Sequence, residues 1–508
     1  MRCGHLTVMG AGMFEAAELG RKVSKQTYKE TVPLLRADLL EAQRRLRETD
    51  AAVIIIVEGV DGVGRGEVVN RLNTWLDTRG VETHAFWEQS SEQLERPPLW
   101  RYWQSMPRRG SIGIFFGGWY SRPIRQHIRD EWDEASLHES LTRIRDFESM
   151  LVVDGALIIK FWFHLTRSEQ KARLKQRLKD PASRWYRLPK GKDQAIRYQR
   201  LVETGERVIR ETDSGLAPWY LIEATDPRYR DLTVGRTLLD AINERLQVGG
   251  PPDEGVTLSH APSLPPEPSA RVTVLDHLDM VQVLEKANYK KRLATAQARL
   301  RDLCWRAKDK GVATVIVFEG WDAAGKGGAI RRLTSGIDAR LYRVVAVAAP
   351  TDEERAHHYL WRFWRYVPRR GRMTVFDRSW YGRVLVERVE GFAAEDRWRR
   401  AYHEINDFEE QLVEHDVVLV KFWLHITEEE QLERFREREK VAYKQHKITD
   451  EDWRNRQQRA GYNAAVNEMV VRTSTEYAPW TLVPANDKRF ARVTVLETVC
   501  DRLEAAIT

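Results

Sequence analysis

A glycine-rich loop at residues 319–327 contains the residue types that bind phosphate. It follows the apolar run 313–318, which is short, rich in β-branched residues and not alternating, as expected for a buried parallel strand. A predicted helix comes next. In such a loop, backbone N–H groups and the helix N-terminus surround phosphate oxygens while a lysine adds positive charge. The pattern predicts a P-loop, whose phosphate-binding residues are Gly325, Lys326, Gly327 and Gly328.

Two aspartates are candidates for a metal site. The residue after Lys326 is Gly327, whereas the usual P-loop has a serine or threonine whose hydroxyl binds Mg²⁺. Asp322, inside the loop, is a candidate for the missing oxygen ligand. Asp377 ends the apolar segment 373–376, the Walker B arrangement in which a carboxylate holds the metal. Two carboxylates suit Mg²⁺, which takes its other ligands from water and phosphate.

Four arginines near this second aspartate predict phosphate contacts. Arg378 and Arg383 follow it closely and are candidates to neutralise charge on a transferring phosphoryl group. Arg369 and Arg370 come just before the same strand, and we expect them to bind phosphate as well.

A basic segment at residues 434–447 has two interpretations. Its acidic residues can pair with some of its positive charges, as on many surface helices. Lys444 and Lys447 lie beyond the acidic part. We favour a lid that brings these lysines over a phosphate donor, with a plain surface helix as the alternative.

Arginines alternate with aromatic residues at 361–371. A similar composition is also found in proteins whose aromatic side chains stack on the bases of single-stranded nucleic acid. The other interpretation is that the aromatic side chains belong to the core and that Arg362 is solvated.

The chain contains the same sequence pattern twice, with a constant offset of 261 residues. The pairs of matching segments are 57–66 and 318–327, 106–110 and 367–371, 146–148 and 407–409, 160–162 and 421–423, and 218–219 and 479–480. This is a tandem duplication of a domain and not a short-period solenoid. Residues 248–270 are rich in proline and glycine, as linkers often are. We predict domains at 14–247 and 271–508.

Strands and helices alternate within each half. In the second half, strands are predicted at 343–349, 373–376, 416–424 and 480–484, and a helix at 401–415. Alternation of this kind predicts an α/β fold, with a parallel sheet covered by helices on both faces. Ligands of such sheets bind at the carboxyl ends of the strands, where the predicted P-loop lies.

Composition indicates the class of partner and the compartment. The chain has 508 residues, a net charge of +7 and a pI near 9.1, which favours an anionic partner. No run of about 18 apolar residues is present, so we expect no membrane helix. Residues 1–12 are too short and polar for a signal peptide, and Met13 is an alternative start. Three scattered cysteines, Cys3, Cys304 and Cys500, indicate the cytoplasm.

Taken together, these motifs resemble the second polyphosphate kinase family. The motifs that carry the resemblance are residues 320–327, 368–371, 376–383, 421–423 and 444–453. The resemblance implies two tandem P-loop kinase domains with a thymidylate-kinase-like three-layer αβα fold, Mg²⁺ dependence and a cytoplasmic bacterial enzyme. Fused two-domain members resemble the type that transfers a phosphoryl group from polyphosphate to AMP. By the same resemblance, Asp322, Lys326, Asp377 and Arg378 are expected to be catalytic, and Glu387 to hold the acceptor nucleotide.

The first half departs from this pattern where the chemistry would be. Lys326 corresponds to Arg65, Asp377 to Phe116, and Arg378 to Gly117, each at the 261-residue offset. A phenylalanine ring cannot bind Mg²⁺, and loss of a metal ligand usually costs orders of magnitude in rate. We therefore expect residues 14–247 to be inactive.

Two other enzymatic functions fit the same motifs. One is an ATP-dependent nucleoside monophosphate kinase, and the other is polyphosphate-dependent phosphorylation of nucleoside diphosphates. We expect neither a nucleic acid nor a membrane as partner. The sequence leaves open the choice among AMP, ADP and GDP, the polyphosphate length, the favoured direction, the oligomeric state and the role of the first domain.

Overall fold

Two five-stranded parallel sheets, one in each half of the chain, organise the structure. This computed structural model describes residues 12–177, 179, 192–248, 273–440 and 450–508. The strands of the first are β1 (Val53–Gly59), β2 (Val81–Ala85), β3 (Ile112–Phe116), β4 (Leu157–His164) and β5 (Trp219–Glu223). Those of the second are β6 (Ala313–Gly320), β7 (Tyr342–Ala346), β8 (Met373–Asp377), β9 (Val417–His425) and β10 (Trp480–Pro484). The first sheet has the order β2-β3-β1-β4-β5, and the second has the equivalent order β7-β8-β6-β9-β10.

Helices connect the strands in both halves. Those of the first are α1 (Lys25–Leu46), α2 (Arg65–Trp75), α3 (Ser91–Leu94), α4 (Trp100–Trp103), α5 (Ser121–Ile128), α6 (Glu134–Val153), α7 (Arg167–Arg177), α8 (Lys192–Thr212) and α9 (Pro227–Val248). Those of the second are α10 (Lys286–Lys310), α11 (Lys326–Thr334), α12 (Asp352–Arg355), α13 (Trp361–Trp364), α14 (Val386–Val389), α15 (Glu395–Glu414), α16 (Glu428–Glu439), α17 (Asp450–Gln457), α18 (Arg459–Thr473) and α19 (Lys488–Ile507). Short 3₁₀ helices lie at Met13–Ala17, Thr78–Gly80 and Trp380–Arg383.

The central strand β6 is buried along almost all of its length because sheet neighbours flank it on both sides. It pairs in parallel with β8 and with β9. Helices α10, α11 and α19 pack together, while α14, α15 and α18 form a second group. The predicted α/β fold with parallel sheets is therefore confirmed. The four strands predicted for the second half are present with shifts of up to three residues at their ends, and the predicted helix begins six residues earlier, at Glu395.

The chain divides into two compact units, and the domain bounds at 14–247 and 271–508 stay a prediction. The described residues of the first unit lie within 1–89, 101–260 and 352–358, and those of the second within 90–100, 261–351 and 359–508. Each unit thus includes a short segment from the other half of the sequence. Of the predicted linker at 248–270, only residue 248 lies among the described residues.

A buried ion pair recurs in the core of both units. In the second unit, Lys421 Nζ donates to Glu409 at 2.6 Å, to the Tyr381 hydroxyl at 2.9 Å and to the Thr473 carbonyl at 2.7 Å. Trp380 also donates to Glu409, at 3.0 Å. The first unit repeats this network with Lys160, Glu148, Tyr120, Thr212 and Trp119. Its presence in both copies indicates that these shared motifs serve the fold.

No helix in the described ranges is long and apolar enough to cross a membrane. Cys304 and Cys500 are both buried and free of disulfides, while Cys3 lies outside the described residues.

Candidate active site

The loop after β6 takes a path that requires glycine at two positions. Gly320 has a φ of 148°, and a Cβ there would collide with the backbone of Leu424. Gly325 has a φ of 108° and caps the N-terminus of α11, whose first residue is Lys326. Positive φ values of this kind are easily reached only without a side chain. The strand, loop and helix therefore have the arrangement of the predicted P-loop.

This loop forms one wall of a cavity of about 510 Å³ at the carboxyl ends of β6 and β8. Seven basic and three acidic side chains line it, so the cavity favours an anion. The basic residues are Lys326, Arg331, Arg378, Arg434, Arg438, Lys488 and Arg492, and the acidic residues are Asp322, Asp377 and Glu437.

Lys326 folds back over its own loop. Its Nζ donates to the carbonyl oxygen of Gly320 at 2.6 Å and to that of Trp321 at 3.2 Å. Burial lowers the pKa of the Lys326 ammonium, and the carboxylate of Asp322 works against this shift. The ammonium is thus held at the loop, where a phosphate oxygen would meet it.

Asp322 is held by donors from two distant segments. Its carboxylate accepts from Arg378 Nη2 at 3.0 Å and from Asn455 Nδ2 at 2.8 Å. Burial alone would raise the pKa of Asp322, but the charges of Lys326 and Arg378 and these hydrogen bonds outweigh it and hold the pKa below its usual range. Asp322 is therefore an anion within a basic cavity.

Two residues of the site adopt backbone conformations that disfavour side chains. Ala323 has a φ of 65° and Arg378 a φ of 64°. The matching residues of the first unit are glycines, Gly62 at 81° and Gly117 at 75°. Non-glycine residues in this region cost roughly 1–3 kcal/mol and concentrate at functional sites. Strain is thus present in the unit that carries the candidate site and relieved in its copy.

The residues fit a divalent cation that keeps much of its hydration. Asp377 ends β8, and its Oδ2 lies 4.0 Å from where a Cβ of Gly327 would be. Among the described residues, no hydrogen bond or ion pair engages its carboxylate. No cluster of three or more potential ligands is found within the described ranges. Asp322 and Asp377 alone would hold the ion, with water and phosphate oxygens completing the shell, as Mg²⁺ prefers.

A buried glutamate supports the loop from below. Glu319, in β6, accepts a hydrogen bond from the Ser379 hydroxyl at 2.8 Å. Burial raises the pKa of Glu319, although Lys326 and the Ser379 hydrogen bond oppose that shift. Ser379 follows Arg378 directly, so this bond ties the segment after β8 to the P-loop strand.

Arg434 clamps the loop from α16. Its guanidinium donates to the carbonyl oxygens of Ala323 and Ala324 at 2.9 and 3.0 Å, and to those of Ala485 and Asn486 at 2.6 and 2.8 Å. A further bond to Glu430, at 2.5 Å, uses its Nε. All five donors are therefore occupied within the protein. The sequence placed this arginine in a basic lid or surface segment, whereas the structure buries it beneath the loop.

The structure brings together only some of the predicted phosphate ligands. Gly325, Lys326, Gly327, Gly328, Asp377 and Arg378 line the cavity, whereas Arg369, Arg370, Arg383 and Glu387 do not. Arg369 pairs with Glu95 at 2.5 Å, and Arg370 pairs with Asp416 at 3.2 Å. Ion pairs with carboxylates engage these two guanidinium groups, and phosphate binding by Arg369 and Arg370 stays a prediction.

Arg383 and Glu387 pair with each other at 3.1 Å. They lie in the segment that runs from the 3₁₀ helix at Trp380–Arg383 into α14. Lys444 and Lys447, the predicted lid lysines, lie outside the described residues.

The aromatic residues at 361–371 pack inward. Trp361, Phe363 and Trp364 are 6%, 4% and 1% exposed. Their burial leaves no stacking platform for bases at α13, so the nucleic-acid interpretation loses its structural basis. The alternative, in which these side chains form core, agrees with the structure.

Sequence reasoning missed Asn455 and three basic residues of the cavity, Arg331, Lys488 and Arg492, whereas Arg438 lies in the basic segment predicted at 434–447. A signal for some of them existed in the repeat. At the 261-residue offset, Arg331 corresponds to Asn70, Lys488 to Pro227 and Arg492 to Asp231, so these positive charges are absent from the first half just as Lys326 is.

The equivalent loop of the first unit is filled by an arginine. Arg230, only 2% exposed, donates to the Val63 carbonyl at 3.2 Å and to Glu67 at 3.1 Å. A side chain on Gly64, at the start of α2, would collide with its guanidinium. The corresponding residue of the second unit is Ala491, which lines the open cavity. The Arg230 side chain thus fills the space beside the loop that is open in the second unit.

A parallel sheet with a glycine loop, a lysine at the first turn of the next helix and an aspartate ending the neighbouring strand defines a P-loop phosphotransferase domain. The model of the polyphosphate kinase 2 family matches residues 22–248 and 283–508. The chain belongs to that family, as the sequence motifs led us to expect.

Curated relatives match nearly the whole chain. The polyphosphate:AMP phosphotransferase of Pseudomonas aeruginosa is 51% identical over 97% of this chain and 99% of its own. The enzyme of the same name from Acinetobacter johnsonii is 36% identical, over 93% and 96%. A crystal structure from Pseudomonas aeruginosa, described as a polyphosphate kinase 2, has a TM-score of 0.86 at 49% identity and covers 97% of this chain and 99% of that one.

Proposed function

We propose that this chain transfers a phosphoryl group from inorganic polyphosphate to AMP and so produces ADP. The observation that carries the proposal is the basic cavity built on the loop of Lys326, with seven basic side chains against three acidic ones. A cavity of this charge suits a long polyanion better than a small neutral substrate. The relatives that match over nearly the whole chain are named polyphosphate:AMP phosphotransferases, and their names support polyphosphate and AMP as the substrates.

The protein residues contribute positioning and charge. Loop N–H groups and Lys326 hold the terminal phosphates of the donor, while Arg378 neutralises charge that spreads over the transferring group. Asp322 and Asp377 would hold Mg²⁺, which supplies further neutralisation when bound. The phosphate of AMP is already anionic near neutral pH and needs no strong general base. Alignment of donor and acceptor in the cavity therefore contributes most of the rate.

We include in this proposal that the first unit does not catalyse the reaction. Phe116 stands where Asp377 ends its strand, and Arg230 fills the loop. A cytoplasmic location also remains our expectation, in agreement with the two free, buried cysteines.

The test uses the full chain with AMP, Mg²⁺ and long-chain polyphosphate, and measures ADP by chromatography. The unmodified protein and Arg65→Gln should form ADP at similar rates. Lys326→Ala, at the matching position of the second unit, should lower kcat by about 10³-fold. Equal activity of all three proteins would contradict the proposal.

The choice of donor and acceptor separates the remaining alternatives. Product formed from ATP but not from polyphosphate would indicate a nucleoside monophosphate kinase. Faster turnover of ADP or GDP than of AMP would indicate the phosphorylation of nucleoside diphosphates.

A further inference from the structure

A basic cluster lies on α5 of the first unit, directly after β3. Among the described residues, the side chains of Arg122 and Arg125 form no hydrogen bond or ion pair, and the Arg122 guanidinium stacks 5.7 Å from the ring centroid of Trp132. Two half-buried cations without a counter-ion on one helix are unfavourable unless an anion compensates them.

A third guanidinium belongs to the same cluster. Arg101, in α4, is only 8% exposed, and its Nη1 donates to the Trp87 carbonyl at 3.2 Å. Its buried Nε has no partner among the described residues. Burial lowers the pKa of Arg101, and the positive charge of Arg125 lowers it further. Arg125 is thus close enough to repel both Arg101 and Arg122, and both of these lie near Tyr102.

One carboxylate lies near enough to interact with Arg125, but other residues already bind it. Glu58, at the end of β1, is 3% exposed and is engaged by the Arg65 guanidinium at 3.3 Å and by the Ser121 hydroxyl at 2.5 Å. Burial raises the pKa of Glu58, while the charges of Arg65 and Arg125 and the Ser121 hydrogen bond oppose that shift. Positive charge therefore exceeds negative charge at this edge of the first sheet.

The second unit shows that this excess is specific to the first. There Arg383, which corresponds to Arg122, pairs with Glu387 at 3.1 Å. The first unit has Gln126 in place of that glutamate, and Arg125 in place of Val386. Residues 121–130 of the first unit carry three arginines and one aspartate, whereas residues 382–391 of the second carry two arginines and two glutamates, with His127 in place of Arg388. The segment is thus more basic in the unit whose P-loop has no lysine. Simple decay of an unused site gives no reason for this opposite change.

We propose that Arg101, Arg122 and Arg125 form a non-catalytic binding site for a phosphate-bearing anion in the first unit. This inference goes beyond the proposed reaction, because the site holds its ligand without transferring a group. The shared chemistry is a phosphate group with two or more anionic oxygens, which guanidinium groups bind in a bidentate manner. A polyphosphate chain and a nucleotide both supply it.

The test compares two full-length variants that have the same change in charge. Arg125→Val with Gln126→Glu gives α5 two residues that the second unit already has at those positions. Arg129→Glu, the control, also adopts the residue of the second unit, Glu390, but lies on the exposed end of the helix. Binding is measured by calorimetry in EDTA, which prevents turnover, with short-chain polyphosphate and with AMP in separate titrations.

We expect the unmodified protein and Arg129→Glu to bind alike, and the double variant to lose one binding site per chain or to bind it at least about tenfold more weakly. Loss with polyphosphate identifies a chain-binding site, and loss with AMP identifies a nucleotide site. Unchanged binding of both ligands would overturn the proposal. Circular dichroism tests whether each variant folds. If the double variant does not fold, the same titrations are made with Arg122→Gln, for which we expect the same loss of binding.

Discussion

The guanidinium of Arg378 donates to the carboxylate of Asp322 at 3.0 Å, although the backbone of Arg378 is in the left-handed region with a φ of 64°. The first unit has a glycine at the matching position, Gly117. The strained conformation is thus retained where the arginine has a partner in the site. At this position the site uses an arginine, whereas backbone stability favours a glycine.

Two replacements of Arg378 should reduce activity alike and differ in their stability. We expect Arg378→Gly and Arg378→Gln both to lower kcat by about 10²–10³-fold, because charge on the transferring group loses its partner. Arg378→Gly should nonetheless unfold with a free energy about 1 kcal/mol higher than Arg378→Gln, because glycine relieves the backbone strain. Rate assays and urea unfolding measure the two effects. A less stable glycine variant would show that the conformation is not strained.

The hydrogen bond from Asn455 to Asp322 should affect the pH below which activity is lost. The pKa of Asp322 is held below its usual range, so the ionised form persists above that pKa and is lost as pH falls through it. Asn455→Ala removes a donor to the ionised carboxylate and should move the acid limb of the kcat profile to higher pH. Asn455→Asp adds a like charge and should move it further. An acid limb at the same pH in all three proteins would assign it to another group.

The Arg434 clamp offers a comparison between the two units. The matching arginine of the first unit, Arg173, donates to the carbonyls of Val63, Ala224 and Thr225. Arg434→Lys should lower the free energy of unfolding by about 3 kcal/mol, because each lost hydrogen bond to a charged group contributes about 1.5–3 kcal/mol. It should also reduce kcat by displacing the loop. Arg173→Lys should destabilise the protein without changing kcat, and equal losses of kcat would contradict this assignment.

The buried ion pair of the core should matter for folding alone. Lys421→Met leaves Glu409 charged and unpaired, and should cost about 3–5 kcal/mol of stability. Glu409→Gln in the same protein should recover part of that loss, because no buried charge then remains. Lys160→Met in the first unit should destabilise the protein similarly and leave kcat per folded molecule unchanged. Thermal unfolding with parallel rate assays distinguishes these outcomes, and a double variant less stable than Lys421→Met would be inconsistent with them.

The repeat helps to separate structural motifs from chemical ones. Lys421, Glu409, Tyr381 and their counterparts occur in both units and form the same buried network. Lys326, Asp377 and Arg378 occur only in the second half, and all three line its cavity. Comparison of the halves therefore indicates from sequence alone which residues the fold requires and which the site requires.

The sequence by itself determined the duplicated parallel α/β fold, the P-loop, the aspartate at the end of β8 and the family. These features depend on local backbone properties: glycines that permit positive φ, buried strands that read as apolar runs, and a constant spacing between repeats. Tertiary structure alone decided that Asn455 and Arg434 hold the loop from segments more than 100 residues away, and that Arg369 pairs with Glu95. Such contacts arise only when the chain folds and brings segments that are distant in sequence together. No local pattern encodes which side chain then meets which partner.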